Sequence, residues 1–274
     1  MVRISTDSAA DFEPRELEQL NIAFIPLKVM FGDAEYEENI SLSKDRFYEL
    51  LLANEDLPKT SQASPQILMD LFEEANAQGE EAIYITLSSA LSGTYQTAMM
   101  TRNMVDSENC HVFDSRNATG GQRLLVEYAA KLRDEGKSAA EILAALEDVR
   151  ERIVLFACID TLEYLYKGGR ISHTVYKLGT LANIKPIITV EQDGGIGVPA
   201  KAMGMRKGMD MLCKHLVNPD PNFPVYAMFT NHRNVAETLA QKMGNVPADR
   251  IIQVGAAIGS HIGPDACGFV YVKA

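Results

Sequence analysis

The feature that most restricts the fold is an alternation of short apolar runs with amphipathic stretches through the first half of the chain. It is clearest between Glu81 and Met100. There Ala82-Ile83-Tyr84-Ile85-Thr86-Leu87 reads as a buried strand and feeds Ser88-Ser89-Ala90-Leu91-Ser92-Gly93-Thr94, after which an apparent helix begins. A strand ending in a hydroxyl-rich turn aims several helix N–H donors at one spot, with Ser and Thr side chains beside them. Such a turn suits an anionic oxygen.

The same rhythm runs on either side. Strands are expected over 2–5, 22–31 and 111–113, and helices over 14–20, 43–52, from 64 onward, 92–105 and 118–134. This order implies a mainly parallel sheet covered on both faces. Its ligands belong at the carboxyl ends of the strands, where the Ser88–Thr94 turn lies. The pattern changes after Gly136-Lys137-Ser138, where Ser138 and Glu141 make a capping box for a helix to about Arg152. Beyond it, strands over 154–159, 185–191, 197–202, 223–230, 251–258 and 268–273, two of them joined across Gln192-Asp193-Gly194-Gly195, suggest an antiparallel or mixed sheet. The expected fold is α/β: an N-terminal mainly parallel-sheet domain over 1–153, then an α+β domain with a mixed or antiparallel sheet over 154–274.

Bulk properties exclude several functions. The formal net charge is −11, with 37 acidic against 26 basic residues, which disfavours a nucleic-acid groove. Cys110, Cys158, Cys213 and Cys267 form no C-x-x-C and sit among apolar neighbours, so they read as buried reduced thiols of a cytoplasmic protein. Residues Met1 to Ser8 read as a strand start without a signal-peptide stretch. No segment approaches the ~18 apolar residues of a membrane span, so no membrane insertion is expected. The histidines show no H-x-x-x-H or H-E-x-x-H pairing, and neither a metal site nor a cofactor is expected.

Three hydroxyl-rich turns remain: Thr6-Asp7-Ser8, Thr60-Ser61-Gln62-Ala63-Ser64, and Ser88 to Thr94. Each could be an ordinary N-cap. The third offers Ser88, Ser89, Ser92 and Thr94 where one hydroxyl would suffice, and it is followed by Ala90, Leu91, Tyr95, Ala98, Met99 and Met100, which are apolar for a phosphate site. Met203, Met205, Met209 and Met211 either line a cavity for a long alkyl chain or fill a core. Lys167-Gly168-Gly169-Arg170 places cations on a turn, and the run from Gly255 to Asp265 reads as an apolar strand ending in a Gly-rich turn with an exposed imidazole, His261.

In this order the segments resemble the DegV family, whose better-studied members are fatty-acid-binding subunits of bacterial fatty acid kinase. The resemblance is carried by Thr6-Asp7-Ser8, Lys59-Thr60-Ser61-Gln62, Leu87 to Gln96, Asp114-Ser115, Leu162 to Ser172, and Gly259-Ser260-His261-Ile262-Gly263-Pro264. It implies a long-chain fatty acid in a buried tunnel, its carboxylate held by Thr60 and Ser92, with Ser61, Gly93, Thr94 and His261 about the head group or mouth. It also implies a non-catalytic chain that presents the carboxylate to a kinase partner for acyl-phosphate formation and phospholipid synthesis, with Arg170, Arg206 and His261 as docking candidates. Ala63 departs from a common Pro, and Ile262 and Asp265 depart from a common His-Thr-Gly-Pro-Gly turn. Two other readings compete. One is a serine hydrolase or acyl transferase with Ser92 as nucleophile, His261 as base and Asp7 or Asp114 as orienter, although no G-x-S-x-G elbow is present. The other is a phosphate or nucleotide site at the same turn, which lacks a P-loop lysine.

Overall fold

The computed structural model describes residues 2–105, 108–177 and 183–274; Met1, the first residue of the stretch read as a strand start, lies outside them. The chain begins with β1 (Val2–Asp7), α1 (Pro14–Gln19), β2 (Ile22–Ile25), β3 (Lys28–Phe31), β4 (Ala34–Glu37), α2 (Lys44–Ala53) and β5 (Lys59–Ser61). It continues with α3 (Pro65–Ala77), β6 (Glu81–Thr86), α4 (Thr94–Val105), β7 (Cys110–Asp114), α5 (Thr119–Asp134) and α6 (Ala139–Arg152). The remainder is β8 (Ile153–Cys158), α7 (Glu163–Lys167), α8 (His173–Lys177), β9 (Ile184–Val190), β10 (Ile196–Met203), α9 (Met205–Cys213), β11 (Tyr226–Phe229), α10 (Arg233–Lys242), β12 (Ile251–Gln253), α11 (Ala256–Ile262) and β13 (Cys267–Val272).

The first sheet is parallel, in the order β2-β1-β6-β7, as the alternating pattern requires. The second has six strands in the order β10-β9-β8-β13-β11-β12, antiparallel except for β11 with β12. The expected α/β architecture is therefore present. All strands of the second sheet follow Arg152, while a single apolar cluster runs from Ile4 and Ile83 through Leu125 to Leu155, Met228 and Val270. Helix α5 makes this junction. Its first half, Thr119 to Val126, is buried without a break, because it packs against β1 and β6 on one side and β8 and β13 on the other.

Local chemistry sets the element ends. Ser43 caps α2 by accepting the Arg46 N–H at 3.3 Å, and Ser138 with Glu141 forms the expected capping box of α6. Pro65 opens α3, whose Leu68, Phe72 and Ala75 face the core. Burying Leu68 and Phe72 stabilises by about 1.5–3 kcal/mol each.

Two expectations need correction. The strand expected over 22–31 is two strands in two sheets, β2 and β3, broken at Pro26, which has no N–H to continue the parallel ladder. β3 instead joins β4 and β5 in a small antiparallel sheet that the sequence reading lacked. The strand expected over 251–258 stops at Gln253, and the apparent Gly-rich turn after it is helix α11. Among the described residues no helix is long and apolar enough to cross a membrane.

Candidate functional site

Strand β6 ends in the middle of the parallel sheet, and its extension, Leu87 to Gly93, forms one wall of a cavity of about 480 Å3. That volume falls within the ~300–1,000 Å3 range of small-molecule sites. A second wall is Thr60, Ser61 and Gln62, carried by β5. Helix α11 supplies a third with Ala257, Ile258, His261 and Ile262, and Leu165 and Arg170 close the rim. The expected residues Thr60, Ser61, Ser92, Gly93, Arg170 and His261 thus share one cavity.

Behind the hydroxyls lies a pocket of about 50 Å3, walled by Leu155, Ala157, Ile188, Val190, Met228 and Cys267 among others. Ala118, Ile196, Ile258 and Ile262 line both spaces, so the two adjoin. One end is hydroxyl-rich and the other is dry. A groove of about 540 Å3 on the other side of the fold, along β2 and α1, gathers no such hydroxyl cluster.

The head-group end is closely hydrogen-bonded. Thr60 Oγ1 lies 2.9 Å from His261 Nε2. Ser92 Oγ lies 2.9 Å from Thr94 Oγ1 and accepts the Thr94 N–H at 3.2 Å. Thr94 is fully buried, lies outside the cavity lining, and accepts the Ala63 N–H at 3.3 Å, tying the two hydroxyl turns together. Arg170 Nε donates to the Leu91 carbonyl at 2.9 Å and Nη1 to the Gly168 carbonyl at 2.6 Å, so this cation braces the rim.

His261 differs from the exposed imidazole expected. Its ring is half-buried, with Nδ1 wholly enclosed and without a hydrogen-bond partner among the described residues. Gly168 packs on that edge so closely that a Cβ there would come within 2.2 Å of Nδ1. Burial, assisted by the Arg170 charge, pulls the His261 pKa down to about 4, so the ring is neutral at pH 7.

This arrangement does not assemble a hydrolytic triad. Nε2 faces Thr60, not Ser92, and neither carboxylate reaches Nδ1. Asp7 is buried and accepts from Ala9 N, Leu87 N, Tyr84 Oη and Gln122 Nε2, while Asp114 accepts from Ser89 N and Arg116 N. Both carboxylates build turns. Ser88 is likewise structural, donating to the Gly194 carbonyl at 2.9 Å and so fastening the tip of the β9–β10 hairpin. Arg206 is exposed on α9 and lies outside the cavity lining. Among the described residues no group of three or more His, Cys, Asp or Glu side chains could hold a metal ion.

The apolar residues that flank the Ser92 turn contribute less than expected. Leu91 lines the cavity, whereas Ala98 is in a core and Met100 is exposed. Met209 is buried in the core between α9 and the second sheet, half-buried Met205 and Met211 pack against that core, and Met203 is exposed, so the core-filling reading holds for the first three. The dry wall comes instead from β8, β9, β11 and α11. Ile258, His261 and Ile262 follow helical i, i+3, i+4 spacing, a signal hidden because Gly255, Gly259 and Gly263 punctuate the run. Gly259 is there for packing: a Cβ would meet Tyr48 Oη at 2.6 Å and Phe47 Cε1 at 2.7 Å on α2.

Fold and cavity define a class, an α/β protein of two main sheets and a small third one with a cavity polar at one end and apolar at the other. The family follows from comparison. Residues 1–274 match the family model described as "Uncharacterised protein, DegV family", and the chain belongs to the DegV family. A DegV domain-containing protein of Caldanaerobacter subterraneus subsp. tengcongensis is 34% identical over 276 residues, covering 98% of each chain. Another from Clostridium perfringens is 34% identical over 273 residues, covering 95% of this chain and 93% of that one. Among solved structures, a DegV family protein of Thermus thermophilus described for its fatty acid binding superposes with a TM-score of 0.89 at 26% identity, over 100% of this chain and 99% of that one. DegV of Bacillus subtilis, described as a fatty acid binding protein, gives 0.86 at 27%, over 100% and 99%.

Proposed function

We propose that this chain binds a long-chain fatty acid, with its carboxylate against the Thr60 and Ser92 hydroxyls and its alkyl tail running along the apolar side of the larger cavity into the dry pocket behind it. The observation that carries the reading is the junction of the two spaces at Ala118, Ile196, Ile258 and Ile262. The fatty acid binding described for the Thermus and Bacillus relatives supports it. Burying about 16 methylenes at ~0.8 kcal/mol each gives a gross term of about 13 kcal/mol before ordering costs, so retention through purification is expected. The polar contacts fix orientation, at ~1 kcal/mol for a neutral hydrogen bond and about twice that to an ionised carboxylate.

The chain serves as a carrier in this reading and presents the carboxylate to a fatty acid kinase, which makes the acyl phosphate used in phospholipid synthesis. Support comes from the placement of the head-group hydroxyls at the rim: Gly93 is exposed, and Thr60, Ser61 and Ser92 are half-exposed. Arg170 stands beside them and is the docking residue to test before the distant Arg206. Native mass spectrometry of protein purified from cells should show one fatty acid of about 14 to 18 carbons per chain, retained by burial of its tail. Protein that carries no such species, and takes none up after delipidation, would refute the reading.

A further inference from the structure

We propose that Thr94 is a positioning residue that turns the Ser92 hydroxyl proton into the cavity, and so makes the site select an ionised carboxylate over an uncharged head group on the same tail. The inference rests on the fatty-acid reading above and goes a step beyond it. A hydroxyl has one proton to give and two lone pairs to fill. Thr94 Oγ1 already accepts the Ala63 N–H, and its other polar neighbour among the described residues is Ser92 Oγ. If Ser92 donated to Thr94, the Thr94 proton would be left without an acceptor at a fully buried position, a costly state for a donor. With Thr94 as donor, the buried Thr94 hydroxyl is satisfied as both donor and acceptor. Ser92 Oγ then accepts both the Thr94 hydroxyl and the Thr94 N–H, and its own proton faces the cavity that Ser92 lines.

The two orientations recognise opposite chemistry. A Ser92 that gives its proton outward suits a carboxylate, which only accepts, whereas a Ser92 that offers a lone pair suits an alcohol or a protonated acid. Thr94 makes this choice without touching the ligand. Valine is close to threonine in shape, so the threonine-to-valine change removes the donor to Ser92, together with the acceptor of the Ala63 N–H, at nearly constant volume.

The test compares delipidated wild type, Thr94→Val and Thr94→Ser for binding of hexadecanoic acid and of hexadecanol, by displacement of a fluorescent fatty acid. Wild type should prefer the acid. Thr94→Val should lose about tenfold for the acid and about twofold or less for the alcohol, a charge-assisted hydrogen bond being at stake, and Thr94→Ser should restore the preference. Thr94→Cys, similar in size with a weaker donor, should fall between them and serves if the valine variant folds poorly. Equal losses for both ligands, unrestored by serine, would make Thr94 merely structural and overturn the proposal. So would an acid preference that survives Thr94→Val. Wild type that binds neither ligand would instead refute the fatty-acid reading itself, and this inference with it.

Discussion

The two ends of the cavity are built from different materials, and the difference separates two tasks. At the rim, side chains from β5, the turn after β6, and α11 meet in hydrogen bonds of fixed geometry, such as Thr60 to His261 and Ser92 to Thr94. At the rear, β8, β9, β11 and α11 present apolar side chains. The Thr230 hydroxyl there is spent on backbone, donating to the Pro264 carbonyl and accepting the Ala266 N–H at 2.9 Å. Directional contacts are modest in net energy but strict in geometry, while apolar burial is large and indifferent to orientation. The rim therefore decides which way a ligand lies, and the rear decides how tightly it stays.

The largest test of this division is tail length. An acid about six methylenes shorter should lose about 5 kcal/mol of gross burial, roughly several thousandfold in affinity. Isothermal titration of delipidated protein with saturated acids of decreasing length checks this. Affinity that stays level as the tail shortens would mean that the rear pocket holds no alkyl chain.

A smaller effect concerns the element that joins the two ends. Helix α11 carries His261 to the rim and Ile258 and Ile262 to the rear, and its N-terminus is held by two buried carboxylates. Gly255 N donates to Asp11 Oδ1 at 2.8 Å and Ala257 N to Glu38 Oε1 at 3.2 Å. Burial, with Asp11 nearby, pushes Glu38 up to about 7, and burial outweighs Lys44 to push Asp11 up to about 6. An acid whose folded pKa is raised ionises more readily in the unfolded chain, so its ionisation opposes folding. Stability is then greatest below the ordinary carboxylate range, falls as pH rises toward 7 and levels off above it. Glu38→Gln removes one such group and should stabilise the protein near pH 8 by on the order of 3 kcal/mol, with no gain near pH 4. Urea unfolding of both proteins across that range provides the comparison. A constant difference at every pH would show that Glu38 does not titrate with folding.

The rim was far more legible in the sequence than the rear. The unit β6, turn, α4 was readable because an apolar run met a cluster of Ser and Thr, and the β9–β10 hairpin because Gly194-Gly195 interrupts alternating residues. Thr60 and Ser92 sit 32 positions apart and were paired only through the family resemblance. Strand β5 is Lys59-Thr60-Ser61, too short and polar to show a period of two; its pairing with β3 makes it a strand. Rear-pocket residues such as Leu155 and Ile188 look like any buried strand residue, since nothing in a sequence marks the places where packing is left incomplete. His261 was found, but its burial depends on Gly168, which comes from a distant turn.

The smallest expected effect tests whether the two ends act independently. Thr60→Val removes one rim hydroxyl at nearly constant volume and leaves His261 Nε2 without its partner, so binding of every fatty acid should weaken by about 1–2 kcal/mol. The rear wall is untouched. Contributions from groups that share no partner add, so the affinity gained per methylene should be the same in the variant as in wild type: two parallel lines against tail length, offset by roughly tenfold. A steeper or shallower line for Thr60→Val would show that the rim hydroxyl also governs how deeply the tail is seated, and the separation between orienting and retaining would fail.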